Sequence, residues 1–203
     1  MKGTLASAAN HKASTSAAVK FIIAPKKITP AVTLAKAILV YNGKVQKPAV
    51  TVKAGTTKLA ASNYKVAYLN SSKKATAASK VKVVGRYYVK VTCKGNYAGT
   101  KTVAFKIIPK GTGLSKMVAA SKGFTAIWVK QAAKTAGYQV QYASNAKFKS
   151  AGIATVRDAK KTSVKVSKLK SKTTYWVRVR TFKMVGKTAF YSSWSASKKV
   201  TAK

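Results

Sequence analysis

The stretch that decides the fold is residues 169–180, LKSKTTYWVRVR, near the end of the chain. Tyr175, Val177 and Val179 occupy every second position of it, and alternate side chains of a strand point to opposite faces. We therefore expect a strand with one buried apolar face. The opposite, exposed face carries Trp176, Arg178 and Arg180.

The same alternation recurs along most of the chain. In residues 89–93, 103–107, 124–128 and 138–142 every second side chain is apolar and the others are mostly polar, and Gly or Asn turns separate these runs. Asn42-Gly43 is predicted to form a two-residue hairpin turn, because both residues tolerate positive φ. No amphipathic helix of a dozen residues is visible. The pattern predicts an all-β chain of two antiparallel modules in tandem.

Charge excludes several functions. Of 203 residues, 41 are Lys or Arg and one, Asp158, is acidic, so the formal net charge is +40. Carboxylate catalysis would depend on Asp158 alone, and the single histidine, His11, lies in a Ser/Ala-rich segment where we expect it to be solvated. Metal sites need grouped oxygen, Cys or His ligands. We therefore predict no enzymatic activity, no cofactor and no metal site.

A short repeat suggests the domain boundaries. Residues 21–26, FIIAPK, resemble residues 105–110, FKIIPK, and each resembles a last strand stopped by proline. We therefore predict that residues 1–26 are a tail that contains the end of a preceding repeat or a vestige of one. A first module is predicted over 27–110 and a second over 111–203. A chance match of these six residues is the alternative.

The second half resembles a fibronectin type III domain. The resemblance rests on Trp128 in an early strand, on Leu169 and Tyr175 before a Val-x-Val strand, and on the closing segment 191–195, YSSWS. It implies an immunoglobulin-like sandwich centred on Trp128, with the Tyr175 hydroxyl bonded to the backbone at a corner. Thr173-Thr174 departs from the Gly or Pro often found at that turn. The core residues expected are Trp128, Tyr138, Tyr142, Leu169 and Tyr175.

Residues 27–110 resemble a tandem repeat module of Gram-positive (Firmicutes) cell-surface proteins. The resemblance rests on residues 41–44 (YNGK), 48–52 (PAVTV), 63–68 (NYKVAY) and 95–100 (GNYAGT) and on the 105–109 strand. Such modules lie in tandem on large secreted proteins, often beside fibronectin type III domains. The resemblance implies an extracellular protein, secreted or attached to the cell wall. No signal peptide is visible, so we expect a removed leader or a longer parent protein.

The aromatic and cationic side chains suggest one candidate site. If the closing segment lies beside the strand that begins near Tyr175, Trp194 can stack between Arg178 and Arg180, with Trp176 on the same face. A guanidinium over an indole contributes roughly 0.5–2 kcal/mol. A structural cation–π ladder is the simpler interpretation. The alternative is a binding site at which a sugar ring or nucleobase stacks. Cys93, in phase with Val89 and Val91, is expected to be a buried, inert thiol.

Three functions fit the charge. Residues 1–110 hold 21 of the cations and residues 111–203 hold 20, so the charge is spread rather than focused. We predict a surface, adhesion or spacer module that associates with teichoic acid, other polyanionic glycans or a host surface. The alternatives are non-specific nucleic-acid binding through phosphates and a deliberately supercharged scaffold. Carboxylates wrongly assigned as Ala or Asn would also explain the bias, and an intact mass of 21.6 kDa tests this. No apolar run long enough to span a membrane occurs, and the sequence leaves the oligomeric state open.

Overall fold

The computed structural model describes residues 24–131 and 133–203. His11 and residues 21–23 of the proposed repeat lie outside the described residues. Helix in the described part is confined to two short 3-10 turns, Ala61–Asn63 and Ala78–Lys80. The prediction of an all-β chain of tandem modules is confirmed. The exact domain limits stay predictions.

Ten strands form the first half from residue 24 onward, where the structure describes it. They are β1 Lys26–Lys27, β2 Ala31–Leu34, β3 Ile38–Val40, β4 Val50–Ala54, β5 Thr57–Lys58, β6 Tyr64–Leu69, β7 Ala75–Thr76, β8 Gly85–Cys93, β9 Tyr97–Ala98 and β10 Thr100–Ile108. A five-stranded sheet has the order β3-β10-β8-β6-β7, a three-stranded sheet has the order β2-β4-β5, and β1 pairs with β9.

The core of the first half fills the space between its two larger sheets. Val52 on β4 and Val89 and Val91 on β8 are fully buried, and Phe105 on β10 stacks on Tyr87 with ring centroids 5.5 Å apart. Cys93 lies in the same cluster. Burial raises the pKa of the Cys93 thiol, which keeps it protonated and weakly reactive.

The predicted hairpin at Asn42-Gly43 is wrong. β3 ends just before these residues and pairs in parallel with β10, whereas the next strand, β4, pairs with β2. The backbone still turns here: Gly43 has φ +80°, and Lys44 N donates to Asn42 Oδ1 at 2.9 Å. The turn chemistry was therefore identified, but the chain leaves the turn toward the other sheet. Parallel pairing also joins β1 to β9.

Close packing explains the second glycine of the 95–100 motif, Gly99. Gly99 has φ +153°, and a Cβ there would lie 2.2 Å from the carbonyl oxygen of Ile28. Any side chain would displace the segment after β1, whose Ile28 N donates to the Ala98 carbonyl at 2.8 Å. The motif thus fixes the start of the first module against β9.

Eight strands form the second half. They are β11 Leu114–Ala120, β12 Gly123–Trp128, β13 Gly137–Ala143, β14 Gly152–Val156, β15 Ser163–Val166, β16 Thr174–Val185, β17 Thr188–Tyr191 and β18 Lys198–Thr201. One sheet has the order β11-β12-β15. The other has the order β14-β13-β16-β17, with β18 also paired to β16. This is a sandwich of two antiparallel sheets.

Aromatic side chains dominate the second core. Trp128 is 2% exposed and packs against the fully buried Tyr138 with ring centroids 5.0 Å apart. Tyr175 is also buried, while Tyr142 and Leu169 are half-buried and pack against the edge of the cluster. The Trp128 Nε1–H group has no hydrogen-bond partner among the residues that the structure describes.

Two tyrosine hydroxyls bind backbone groups around this core. Tyr175 Oη accepts from Lys170 N at 3.2 Å, which closes the corner before β16 in spite of the threonines that precede the tyrosine. Tyr138 Oη accepts from Gln131 N at 2.9 Å and donates to the Ala159 carbonyl at 3.1 Å. Each hydroxyl thereby satisfies loop groups that a sandwich end would otherwise leave unpaired.

Candidate functional site

β16 positions the candidate site. Its odd-numbered residues from Tyr175 to Thr181 are buried, so Trp176, Arg178 and Arg180 lie together on the outer face of the sheet. At twelve residues it is the longest strand in the described part of the chain. Its length gives it room for three successive partners along one edge.

The middle partner is not a regular strand. β17 pairs with residues 182–185 and β18 with residues 174–177, and the closing segment lies between them. There Ser192 Oγ accepts from Thr181 N and Ser195 Oγ accepts from Val179 N, each at 3.1 Å. The backbone N–H groups of the same serines donate to the carbonyls of Thr181 and Val179 at 3.1 and 2.9 Å. Over this stretch, serine hydroxyl oxygens thus accept the hydrogen bonds that backbone carbonyls of a paired strand would otherwise accept.

This arrangement places Trp194 beside both arginines. The Cζ atoms of Arg180 and Arg178 lie 4.2 and 5.0 Å from the centroid of the Trp194 ring, within the range of a cation–π contact. Each guanidinium also covers a second ring at 3.9 Å: Tyr191 for Arg180 and Phe148 for Arg178. We call the series Tyr191, Arg180, Trp194, Arg178 and Phe148 the cation–π ladder.

Glutamine oxygens complete the ladder. Gln139 and Gln141 on β13 lie directly across from Arg180 and Arg178. Gln139 Oε1 accepts from Arg180 Nη2 at 2.7 Å and from Nε at 3.0 Å, and Gln141 Oε1 accepts from Arg178 Nε at 2.7 Å. Amide oxygens therefore occupy the place that carboxylates take in a salt bridge.

The ladder changes the electrostatics of its arginines. Burial lowers the pKa of both guanidinium groups, and for Arg180 the charge of Arg178 lowers it further while Tyr191 opposes the change. Both side chains stay protonated, because arginine is not deprotonated in proteins. The result is a pair of half-buried, charged groups held in fixed positions on a sheet surface.

The predicted site residues fall into two groups. Arg178, Arg180 and Trp194 come together in the ladder, whereas Trp176 contacts the ammonium of Lys199 at 5.0 Å. The reason is register, since Lys199 lies directly opposite Trp176 on β18. Sequence reasoning did not assign Phe148, Tyr191, Gln139 or Gln141 to the ladder. The outward phase of the two glutamines was visible, but Phe148 follows no pattern: it sits in a loop with φ +54°.

Comparisons with known proteins identify part of the chain. Residues 109–198 match the family profile of the fibronectin type III domain. The FN1-FN3 domains of chicken CNTN1 are 20% identical with a TM-score of 0.42, and the match covers 88% of this chain and 68% of that one. The two-domain fibronectin type III segment of chicken tenascin is 16% identical with a TM-score of 0.46, over 86% and 98% of the chains. No curated protein matches this chain.

These findings carry general properties of the family. Fibronectin type III domains are generally non-catalytic structural or adhesion modules, are usually extracellular, and in general bind other proteins. Among the described residues, no helix is both long and apolar enough to cross a bilayer. Together with the Trp128 core and the Tyr175 corner, the profile match assigns the second half: residues 109–198 are a fibronectin type III domain.

Proposed function

We propose that this chain is a non-catalytic surface, adhesion or spacer segment of an extracellular protein, held against anionic polymers by its lysines. The resemblance of residues 27–110 to Gram-positive surface repeats supports a cell-wall or secreted location. The observation that carries the proposal is the placement of the cations. Every described lysine except Lys183 is exposed, on both halves of the chain.

The cations have almost no internal counter-charges. Asp158 is the only acidic side chain, and its Oδ1 already accepts from the backbone N–H of Lys160 at 2.8 Å. Exposed lysines without carboxylate partners attract any polyanion, because binding releases the polymer's condensed counterions. Teichoic acid and acidic glycans are the polyanions of the surroundings that the family suggests.

The even distribution of the cations favours a generally cationic surface over a nucleic-acid-binding face. A protein that reads nucleic acid usually concentrates its cations on one face or stripe. Here the exposed lysines lie on strands and turns of both halves, and the best stacking rings of the second half are covered by guanidinium groups. We propose a structural role for the cation–π ladder, which stiffens the outer sheet and does not serve as a platform.

The test measures retention on teichoic-acid-bearing walls against salt concentration. We expect binding at low salt to be lost toward 1 M, where the screening length falls to about 3 Å. Unchanged retention over this range would overturn the electrostatic account. Duplex DNA and a neutral glycan serve as comparison ligands at physiological salt, and a marked preference for one DNA sequence would contradict the surface-module proposal.

A matched pair of variants sharpens this test. Replacing the exposed Lys90, Lys101, Lys116 and Lys165 by glutamine removes two charges from each half, and replacing them by arginine removes none. The glutamine variant should bind walls more weakly and with a shallower salt dependence, while the arginine variant should match the native protein. Equal loss in both variants would show that lysine contacts other than charge hold the polymer.

A further inference from the structure

Residues of both halves line two cavities that are open to solvent. One has a volume of about 410 Å³ and the other of about 380 Å³, and both are lined by Arg86, Thr188 and Phe190. Phe190 is only 8% exposed although it belongs to neither core cluster. Cavities of this size at a domain junction fall in the range of small-ligand sites.

The segment that joins the two halves is anchored to the second half. Thr181, which is fully buried, donates through Oγ1 to the carbonyl of Lys110 at 2.8 Å. Ile108 on β10 has the same strand phase as the exposed Lys106 and would therefore be expected on the outer face of the sheet. It is only 5% exposed, and it lines the smaller cavity together with Phe190. The segment between the halves is therefore anchored to β16, the same strand that carries the cation–π ladder.

Three cations from both halves line the smaller cavity. Arg86 and Lys106 are directly opposed on β8 and β10, and Arg180 comes from β16. Like charges directly opposite on neighbouring strands destabilise a sheet. The only carboxylate side chain, Asp158, lines a different cavity. The smaller cavity thus concentrates positive charge with no internal anion to balance it.

The arginine N–H groups at the smaller cavity suit the oxygens of a bound anion. Arg180 uses Nε and Nη2 on Gln139, and its guanidinium has further N–H groups. Arg86 is exposed, and guanidinium groups match carboxylate, sulfate and phosphate oxygens with paired hydrogen bonds. Hydroxyl groups of Thr188 and Ser193 and the apolar side chain of Ile38 complete the lining.

We propose that this cavity binds one acidic sugar unit of an anionic glycan. A sugar ring with a carboxylate or sulfate offers an anion for the arginines, hydroxyls for the polar lining and an apolar face for Ile38. A nucleobase would need an open aromatic face, but Arg180 lies 3.9 Å from the Tyr191 ring centroid and Phe190 is buried. The site deepens the proposed function, because it adds one specific contact to the diffuse cationic coat.

Two double variants with equal charge loss test the site. Arg86→Gln with Lys106→Gln removes the cavity cations of the first half, and Lys90→Gln with Lys101→Gln removes two equally exposed cations on the same two strands. The probes are a tetragalacturonate for carboxylated glycans and a heparin tetrasaccharide for sulfated ones, measured by calorimetry at physiological salt. We expect the cavity variant to bind one probe about tenfold more weakly and the control variant to change little.

The outcomes separate this site from the proposed function. If both variants lose probe affinity equally and the protein is still retained on walls at low salt, the cavity site is overturned and the proposed diffuse binding by exposed lysines stands. Failure of the native protein to be retained on walls at low salt would overturn the proposed function itself. Ser193→Trp adds bulk at the cavity without changing charge, and probe affinity unchanged by it would also overturn the site. Measuring the melting temperatures of all variants checks that the fold persists.

Discussion

The outer faces of β8 and β16 both carry cations, but in different surroundings. On β8, Arg86 and Lys90 are exposed to solvent. On β16, Arg178 and Arg180 are half-buried between aromatic rings and glutamine oxygens. The difference shows that cationic side chains can have specific interaction partners even where carboxylates are nearly absent. On β16 these partners are aromatic rings and glutamine amide oxygens.

The largest expected effect comes from removing the shared ring of the ladder. Trp194→Ala should lower the free energy of unfolding of the fibronectin type III half by about 2 kcal/mol, because two cation–π contacts of roughly 0.5–2 kcal/mol each are lost. The melting temperature of a domain this size should fall by about 10 °C. Calorimetry of the full chain measures the shift.

Trp176→Ala is the matched control for this prediction. Trp176 is also half-buried on the outer face, but within the described part of the chain its cation–π partner is Lys199 alone, at 5.0 Å. Its replacement should cost clearly less than that of Trp194. Equal shifts for both variants would mean that general loss of aromatic area, not the ladder, stabilises this face.

A smaller effect is expected from the serine that replaces a strand carbonyl. Ser192→Ala removes the acceptor of the buried Thr181 N–H, and we expect a loss of about 1.5 kcal/mol, in the lower half of the range that an unpaired buried group costs. Ser193→Ala is the control, since Ser193 is exposed and its hydroxyl accepts no bond from β16. Chemical denaturation should show a lower midpoint for the first variant alone; a native midpoint for Ser192→Ala would contradict the proposed pairing.

Changing the shape of the cation should have a still smaller effect. Arg180→Lys keeps the charge but loses the planar group that contacts two rings and binds Gln139 through two nitrogens, so we expect a loss of about 1 kcal/mol. Arg86→Lys makes the same exchange on β8, where the side chain is exposed, and should be neutral. Equal losses would break the contrast between the two faces.

Alternation predicted most of the fold because side-chain period is a local property. It placed Val89, Val91 and Cys93 inside one half and Tyr175, Val177 and Val179 inside the other, as the structure does. It did not predict where the chain goes after Asn42-Gly43. Turn chemistry fixes a local bend, whereas the parallel pairing of β3 with β10 joins residues far apart in the sequence.

The candidate site was predictable only where it follows strand phase. Arg178 and Arg180 are two residues apart on one strand, so their common face could be read directly. Phe148 reaches Arg178 from a loop, and Trp176 belongs with Lys199 because of strand register. Both depend on tertiary pairing, which a single sequence does not specify.

The smallest expected effect is that of the ladder on the first half. The single cysteine, Cys93, is buried in the first half, and all three tryptophans lie in the second. Thiol labelling therefore reports opening of one half, and tryptophan fluorescence reports unfolding of the other. Because burial raises the pKa of the Cys93 thiol, thiolate is scarcer at pH 8 than for an exposed cysteine, and labelling of the native protein should require opening.

If the halves are separate cooperative units, Trp194→Ala should change the Cys93 labelling rate by no more than about twofold, since distant sites couple by only roughly 0.3–0.5 kcal/mol. The same variant should shift the fluorescence transition strongly. Faster labelling in proportion to the lost stability would show that the contact through Lys110 and Phe190 makes both halves unfold together. The contrast between β8 and β16 would then describe two faces of one cooperative unit, and the exposed cations of the first half would share the stability that the ladder gives the second.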